Sequence, residues 1–269
     1  MKHITKIIVG IALLVASAGC ASTAHQTAQP LHQSQSYYNY LQPTFSQYLA
    51  VTRQWLTENR SYISADHDKE IAMNMPIELS PKTPATKAIL MVHGLGDSPY
   101  SFSDLAPTLA EQGFHVQTLL LPGHGSKPKD MMLPTYTDWQ TIVDHYANLL
   151  KQDYQEVWLG GFSTGANLVT IHTIETGGVE GLLLFSPGFV SRAPILEKFA
   201  PLASLFYDGY TAEEKNIARY TSAPLNGAIA YSESASRLRD LLKRNVSVKT
   251  LIAVSEADSI VDPEAIHKL

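Results

Sequence analysis

Five short apolar runs, Ala88–Val92, Val116–Leu121, Glu156–Leu159, Gly181–Phe185 and Val248–Val254, alternate with stretches of helical periodicity. Each run is apolar at odd and even positions alike, the pattern of a strand covered on both faces, and alternation with helices implies a parallel sheet with right-handed crossovers. One helix is expected after Ser98 as N-cap and Pro99 at its first position, with Phe102, Leu105 and Leu109 turned inward. A second carries Trp139, Ile142, Val143, Tyr146, Leu149 and Leu150. The expected fold class is therefore α/β, a mostly parallel sheet flanked by helices. Pro194 to Pro224 interrupts the rhythm with Phe199, Leu202, Leu205, Phe206, Tyr207 and Tyr210 among prolines and charges, and reads as a cap inserted at about 190–226.

The N-terminal residues have a different logic. Lys2 and Lys6 precede an apolar run from Ile7 to Ala16, too short to span a bilayer comfortably and followed by small residues, which reads as a secretory signal over residues 1–19. Cys20, the sole cysteine, comes directly after Ser17-Ala18-Gly19. This resembles the lipobox of bacterial lipoproteins, although Ser17 stands where Leu is commoner. The resemblance implies cleavage before Cys20, acylation of that residue and attachment to a membrane. Ala21, where Asp would mark inner-membrane retention, matches the outer-membrane sorting pattern. The alternative is a soluble secreted protein with an incidental Cys. Residues 20–43 are rich in Gln, Ser, Thr and Ala and read as a tether, and the body spans 44–269. It opens with an amphipathic helix from Thr44 to Glu58, in which Phe45, Tyr48, Leu49, Thr52, Trp55 and Leu56 recur at helical spacing.

A formal net charge of −5 argues against a nucleic-acid partner. One cysteine allows no internal disulfide and no CxxC site, and His115, His145 and His172 have neither HExxH nor His-x-His spacing, so no metal or other cofactor is expected.

Gly161-Phe162-Ser163-Thr164-Gly165 lies between the run Glu156–Leu159 and a helical stretch with Leu168, Val169 and Ile171. A serine on a tight strand-to-helix turn needs glycine on both sides because a Cβ there would clash, and the helix N-terminus directs positive potential at the site. The bland alternative is a serine that merely caps the helix. His93-Gly94-Leu95-Gly96 and Leu121-Pro122-Gly123-His124-Gly125 each close a strand. With HGLGDSPYSF, LLPGHG followed by Thr137-Asp138-Trp139, GFSTG and the stretch Asp258 to Glu264, the chain resembles the α/β-hydrolases, in their carboxylesterase and monoacylglycerol-lipase branch.

That resemblance implies a serine hydrolase acting on a small-molecule ester through an acyl-enzyme. Ser163 matches the nucleophile, the backbone N–H groups of Leu95 and Thr164 match the oxyanion hole, and Asp258 matches the acid that orients the catalytic His. The family pattern then requires a helix, a last strand and a loop carrying that His, roughly 25 residues by typical element lengths, whereas the sequence ends at Leu269. The last strand and helix are thus expected to be missing, and hydrolysis by the chain as given to be weak. Asp262 as N-cap and Pro263 at N1 begin a helix on which His267 is read as exposed. His93 and His124 are read as tying loops together, and Asp97 and Asp104 as serving turn and helix ends. The competing function is a catalytically inactive or truncated surface lipoprotein that uses the pocket as a binding module.

Overall fold

The computed structural model describes residues 38–190, 204, 207–244 and 247–267. The signal, Cys20, the tether before residue 38 and residues 191–203, 205 and 206 of the expected cap lie outside them.

Helix α1 (Phe45–Asn59) begins where Thr44 accepts the Gln47 N–H, and α2 (His67–Asn74) where Asp66 accepts the Lys69 N–H. The sheet strands are β1 (Glu78–Leu79), β2 (Lys87–Val92), β3 (Phe114–Leu119), β4 (Glu156–Phe162), β5 (Gly181–Phe185) and, after a separate two-stranded piece, β8 (Lys249–Ala253). Their order is β1-β3-β2-β4-β5-β8, parallel throughout except for β1 against β3. The period of two sorts each strand between two cores. Ala88, Leu90 and Val92 of β2 join Trp139, Ile142, Val143 and Tyr146 of α4 (Tyr136–Asp153) and Leu168, Val169 and Ile171 of α5 (Thr164–Thr176). Ile89 and Met91 turn to the other face, with Phe102 and with Ala106 and Leu109 of α3 (Leu105–Glu111). Each such side chain, fully buried, is worth about 1.5–3 kcal/mol of transfer free energy, so β2, β4 and their helices carry the stability.

The helix expected from Ser98 is two pieces, a 3-10 turn at Pro99–Phe102 and α3 beginning only at Leu105. Ser98 makes no capping bond and instead donates its hydroxyl to the Met73 carbonyl of the α2 terminus at 3.1 Å, a tertiary partner that outcompetes the local cap. The run Val248–Val254 is a strand, but all five residues of β8 are exposed rather than covered on both faces. It lies at the sheet edge, paired only with β5 among the described residues, and Leu251 and Ile252 are 60% and 41% exposed. Of the cap, the described part holds the short pair β6 (Gly209–Tyr210) and β7 (Ala223–Pro224), after which α6 (Leu225–Leu241) returns to the main core.

The N-terminal helices cover the far end of β3. Tyr48 is fully buried, and its hydroxyl both accepts the Leu120 N–H at 2.9 Å and donates to the Leu120 carbonyl at 3.1 Å, satisfying a backbone unit just past the last ladder bond. Trp55, Leu56 and Ile71 close over Leu120 as a third small core.

Candidate active site

Strand β4 ends at Phe162 and α5 starts at Thr164, so Ser163 alone makes the reversal, with φ 52° and ψ −114°. A non-glycine residue held there costs about 1–3 kcal/mol and persists only where its surroundings fix it. The fixing groups are backbone. The Ser163 N–H donates to the Phe185 carbonyl at 3.0 Å, and the Ser163 carbonyl accepts from Ala166 at 3.0 Å and Gly188 at 3.1 Å. A Cβ on Gly161 would stand 2.4 Å from the Ala166 nitrogen, and one on Gly165 2.0 Å from the Val92 oxygen, so both flanking positions exclude any side chain. Ser163 occupies the N-cap position yet makes no side-chain cap bond. The merely capping serine is therefore not what the structure contains: the hydroxyl of this half-buried residue is left out of the helix's own bonding.

The loop after β2 runs directly against this turn, since a Cβ on Gly94 would be 3.1 Å from that of Ser163. Among the described residues the N–H groups of Leu95 and Thr164 enter no hydrogen bond. Two buried histidines shape the loop. The Leu121 N–H donates to Nε2 of His93 at 3.0 Å, and the His93 Nδ1–H donates to the Gly94 carbonyl at 2.8 Å. The Gly96 N–H donates to Nε2 of His124 at 3.0 Å, while its Nδ1 lies 3.2 Å from both the Leu121 and Pro122 carbonyls. Burial pushes His93 down to about 4, and burial together with the neighbouring His93 pushes His124 down to about 3. Both are neutral imidazoles at pH 7 with each ring nitrogen engaged, so they hold loops and are not placed to take a proton from Ser163. Trp139 donates its indole N–H to the Pro122 carbonyl at 2.9 Å, and Asp138 forms a capping box with Thr135, which accounts for the Asp-Trp pair as loop and helix anchors. Asp97 serves a turn as expected, accepting from Ser98 N–H at 2.9 Å and Ser101 Oγ at 2.6 Å. Asp104 precedes α3 without a side-chain cap.

Asp258 follows β8 in a partly buried turn, its Oδ1 accepting the Ile260 N–H at 2.9 Å and the Val261 N–H at 3.0 Å. The helix after it, α7 (Pro263–Ile266), starts as expected, with Asp262 accepting from Glu264 and Ala265. Its N-cap is tied back to the segment following β5 by the bond from Asp262 N–H to the Val190 carbonyl at 2.9 Å. His267 is exposed at the C-cap of α7. Among the described residues no histidine is hydrogen-bonded to Ser163.

Sequence reasoning missed the loop after β5. Ser186 has φ 39°, its N–H donates to the Ala253 carbonyl at 2.7 Å, and Gly188 then braces Ser163. The Gly188 carbonyl in turn accepts from Asn167 at 3.0 Å and from the Tyr231 hydroxyl of α6 at 3.2 Å. The Pro187-Gly188 pair was the available signal for a tight turn. Leu95 also has a neighbour invisible in the sequence: a Cβ on Gly227 of α6 would be 3.0 Å from Leu95 Cδ1 and 3.6 Å from Met131 Sδ, so α6 packs closely on both side chains.

A strained serine between a central parallel strand and a buried helix, in a sheet covered on both faces, defines an α/β-hydrolase. Solved structures agree on the fold. A structure of the metagenome-derived lipolytic enzymes LipS and LipT superposes with a TM-score of 0.63 at 21% identity, covering 71% of this chain and 79% of that one. The monoacylglycerol lipase of Paleococcus ferrophilus does so at 0.60 and 18%, covering 72% and 81%. The family model for serine aminopeptidase, S33 (Hydrolase_4) matches residues 83–269, and the chain belongs to that family. A thermostable monoacylglycerol lipase of Bacillus sp. (strain H-257) is 36% identical over 87 residues, a match that spans 32% of this chain and about a third, 34%, of the relative.

Proposed function

We propose that the protein is a serine hydrolase cleaving carboxylic esters, lipid-like or short-chain, through an acyl-enzyme. The observation that carries this reading is the strained, uncapped Ser163 at the N-terminus of α5 beside the unengaged N–H groups of Leu95 and Thr164. In this reading a base takes the Ser163 hydroxyl proton as the oxygen attacks the ester carbonyl, the Leu95 and Thr164 N–H groups hold the oxyanion, the base returns the proton to the departing alcohol, and water releases the acid by the same two steps. Asp258 is the acid that holds the base in its working tautomer and stabilises its protonated form. The relatives called monoacylglycerol lipases support carboxylic esters as the substrate class.

Cys20, outside the described residues, is in this reading the lipid-bearing N-terminus of the mature protein, which places the hydrolase on a membrane surface, on the outer membrane if the cell is Gram-negative. The support is the lone cysteine directly after a short apolar segment and small residues. Cys20→Ala is expected to move the protein from the membrane to the soluble fraction, and an unmodified or differently cut N-terminus in mass spectrometry would refute the anchor.

A second reading, a hydrolase fold that binds esters without turning them over, draws on the lack of a histidine bonded to Ser163 among the described residues. Hydrolysis of p-nitrophenyl butyrate separates the two. Turnover that disappears in Ser163→Ala carries the enzyme reading. Turnover indifferent to that substitution overturns Ser163, and saturable ester binding without turnover favours the binding module. If turnover is present and His267→Ala removes it, the exposed His267 is the base; full activity in that variant excludes it.

A further inference from the structure

Residues 38–75 precede the segment matched by the family model, and a buried ion pair within them, Arg60 with Glu70, is bonded to the segments that flank the loop beside Ser163. Arg60, at the C-terminal end of α1, bonds its Nε to Glu70 Oε2 of α2 at 2.8 Å, and both side chains are almost entirely buried. Its Nη1 donates to the Gly125 carbonyl, and its Nη2 to the Ile217 carbonyl at 2.6 Å. Glu70 is fixed by the Ile63 and Ser64 N–H groups at 3.0 and 2.6 Å, and Asn74 adds a second donor to Ile217 at 2.7 Å. Burial alone would raise the Glu70 carboxyl, but these donors and Arg60 hold it below its ordinary range, so the pair is ionised at neutral pH.

Both carbonyls that Arg60 grips belong to segments that hold Gly96. Gly125 follows His124, whose Nε2 accepts the Gly96 N–H, and Ile217 begins the stretch in which the Tyr220 N–H donates to the Gly96 carbonyl at 2.7 Å. The bond from Ser98 Oγ to the Met73 carbonyl attaches the same loop to the end of α2. Packing alone does not hold Gly96, for it borders a small polar cavity shared with Arg60, Asn74, Asp97, Gly125 and Tyr220. Hydrogen bonds hold the loop, and Arg60 bonds the two segments, at Gly125 and Ile217, from which those to Gly96 come.

We propose that Arg60, fixed by Glu70, is a positioning residue that sets the oxyanion loop Gly94–Ser98 and the returning cap segment 217–220 from outside the segment that the family model matches. The proposal rests on the reading of the Leu95 N–H as an oxyanion donor. A fork of donors is needed because two carbonyls and a carboxylate are bonded at once; a lysine would keep the charge toward Glu70 but could not span them.

The test uses the whole chain, with Arg60→Lys and Glu70→Gln compared with wild type. Amide hydrogen exchange is expected to quicken in peptides covering 94–98 and 217–220, with the β4–α5 peptides unchanged. For p-nitrophenyl butyrate, kcat is expected to fall by about 10- to 100-fold with KM within about threefold, the signature of a misplaced transition-state donor. Exchange at 94–98 unchanged in both folded variants overturns the proposal whatever the turnover. Faster exchange with unchanged Ser163-dependent kcat overturns its catalytic part. If wild type shows no Ser163-dependent turnover, the functional reading fails instead, and exchange alone still decides whether Arg60 positions the loop.

Discussion

The turn at Ser163 and the turn at Asp258 sit at the ends of strands of the same sheet but are built to opposite standards. Ser163 lies after β4, a central strand bonded on both sides, and its N–H and carbonyl are engaged from β5, α5 and the loop at Gly188. Asp258 lies after β8, bonded on one side among the described residues, and its Oδ1 accepts from its own turn at Ile260 and Val261. Around the first, glycine positions leave no room for a methyl group; around the second, Leu251, Ile252 and Ile260 are 60%, 41% and 66% exposed. Backbone strain can be held where the surroundings outnumber the strained residue, and the center of the sheet supplies that support while its edge does not.

Gly165→Ala should have the largest effect on this contrast. Its Cβ would lie 2.0 Å from the Val92 oxygen and 2.6 Å from the His93 oxygen, both backbone atoms with no room to yield. A loss of more than about 4 kcal/mol is expected, seen as failure to recover folded protein or as a collapse of the thermal midpoint. A normal midpoint would mean that the center is more yielding than its contacts imply.

Acid should loosen the Ser163 half through His93 and His124. Both are depressed from 6.5 in the unfolded chain to about 4 and about 3, so the stability they contribute is complete above about pH 6.5 and is lost as pH falls toward those values. The expected loss is a few kcal/mol, and a thermal-midpoint series from pH 7.5 to 4.5 should be flatter in His124→Asn than in wild type. Equal slopes would remove His124 from the account.

Ser163→Gly should act in the other direction. Glycine accepts a φ of 52° without the Cβ penalty, so a gain of about 1 kcal/mol, a midpoint higher by about 2–4 °C, is expected along with loss of any Ser163-dependent turnover. A lower midpoint would show that the hydroxyl is structurally bonded rather than free for chemistry.

The smallest effect belongs to the edge. Leu251→Lys on exposed β8 should change stability by less than about 0.5 kcal/mol while lowering aggregation in light scattering, because a lysine on an edge strand disfavours pairing with another chain. A large destabilisation would mean that Leu251 is covered in solution.

Much of this arrangement was legible in the residues themselves. Four of the five apolar runs gave strands within two residues of those observed, and the fifth stopped at Leu159, three residues before the end of β4, because burial on both faces writes an unbroken pattern that needs no partner to be read. GFSTG between a strand and a helix located the turn because glycine is required there by local sterics, and Asp262 announced its helix by local capping bonds. Ser98 misled by the same rule, since nothing local shows that the Met73 carbonyl waits for its hydroxyl. The exposed character of β8 was equally hidden: Leu-Ile-Ala reads the same at an edge as at a center.

What the sequence determined by itself was therefore whatever a few adjacent residues decide through backbone sterics, period and capping: the five longer strands, the helices α1, α4 and α5, and the serine turn; the 17-residue α6 went unread. Only the tertiary structure decided that Gly188 braces Ser163, and that Arg60, paired with Glu70, reaches Gly125 and Ile217 across 65 and 157 residues of chain. Those contacts depend on which surfaces meet after the strands are ordered, and hydrogen bonds between buried polar groups far apart in sequence leave no periodic trace along it.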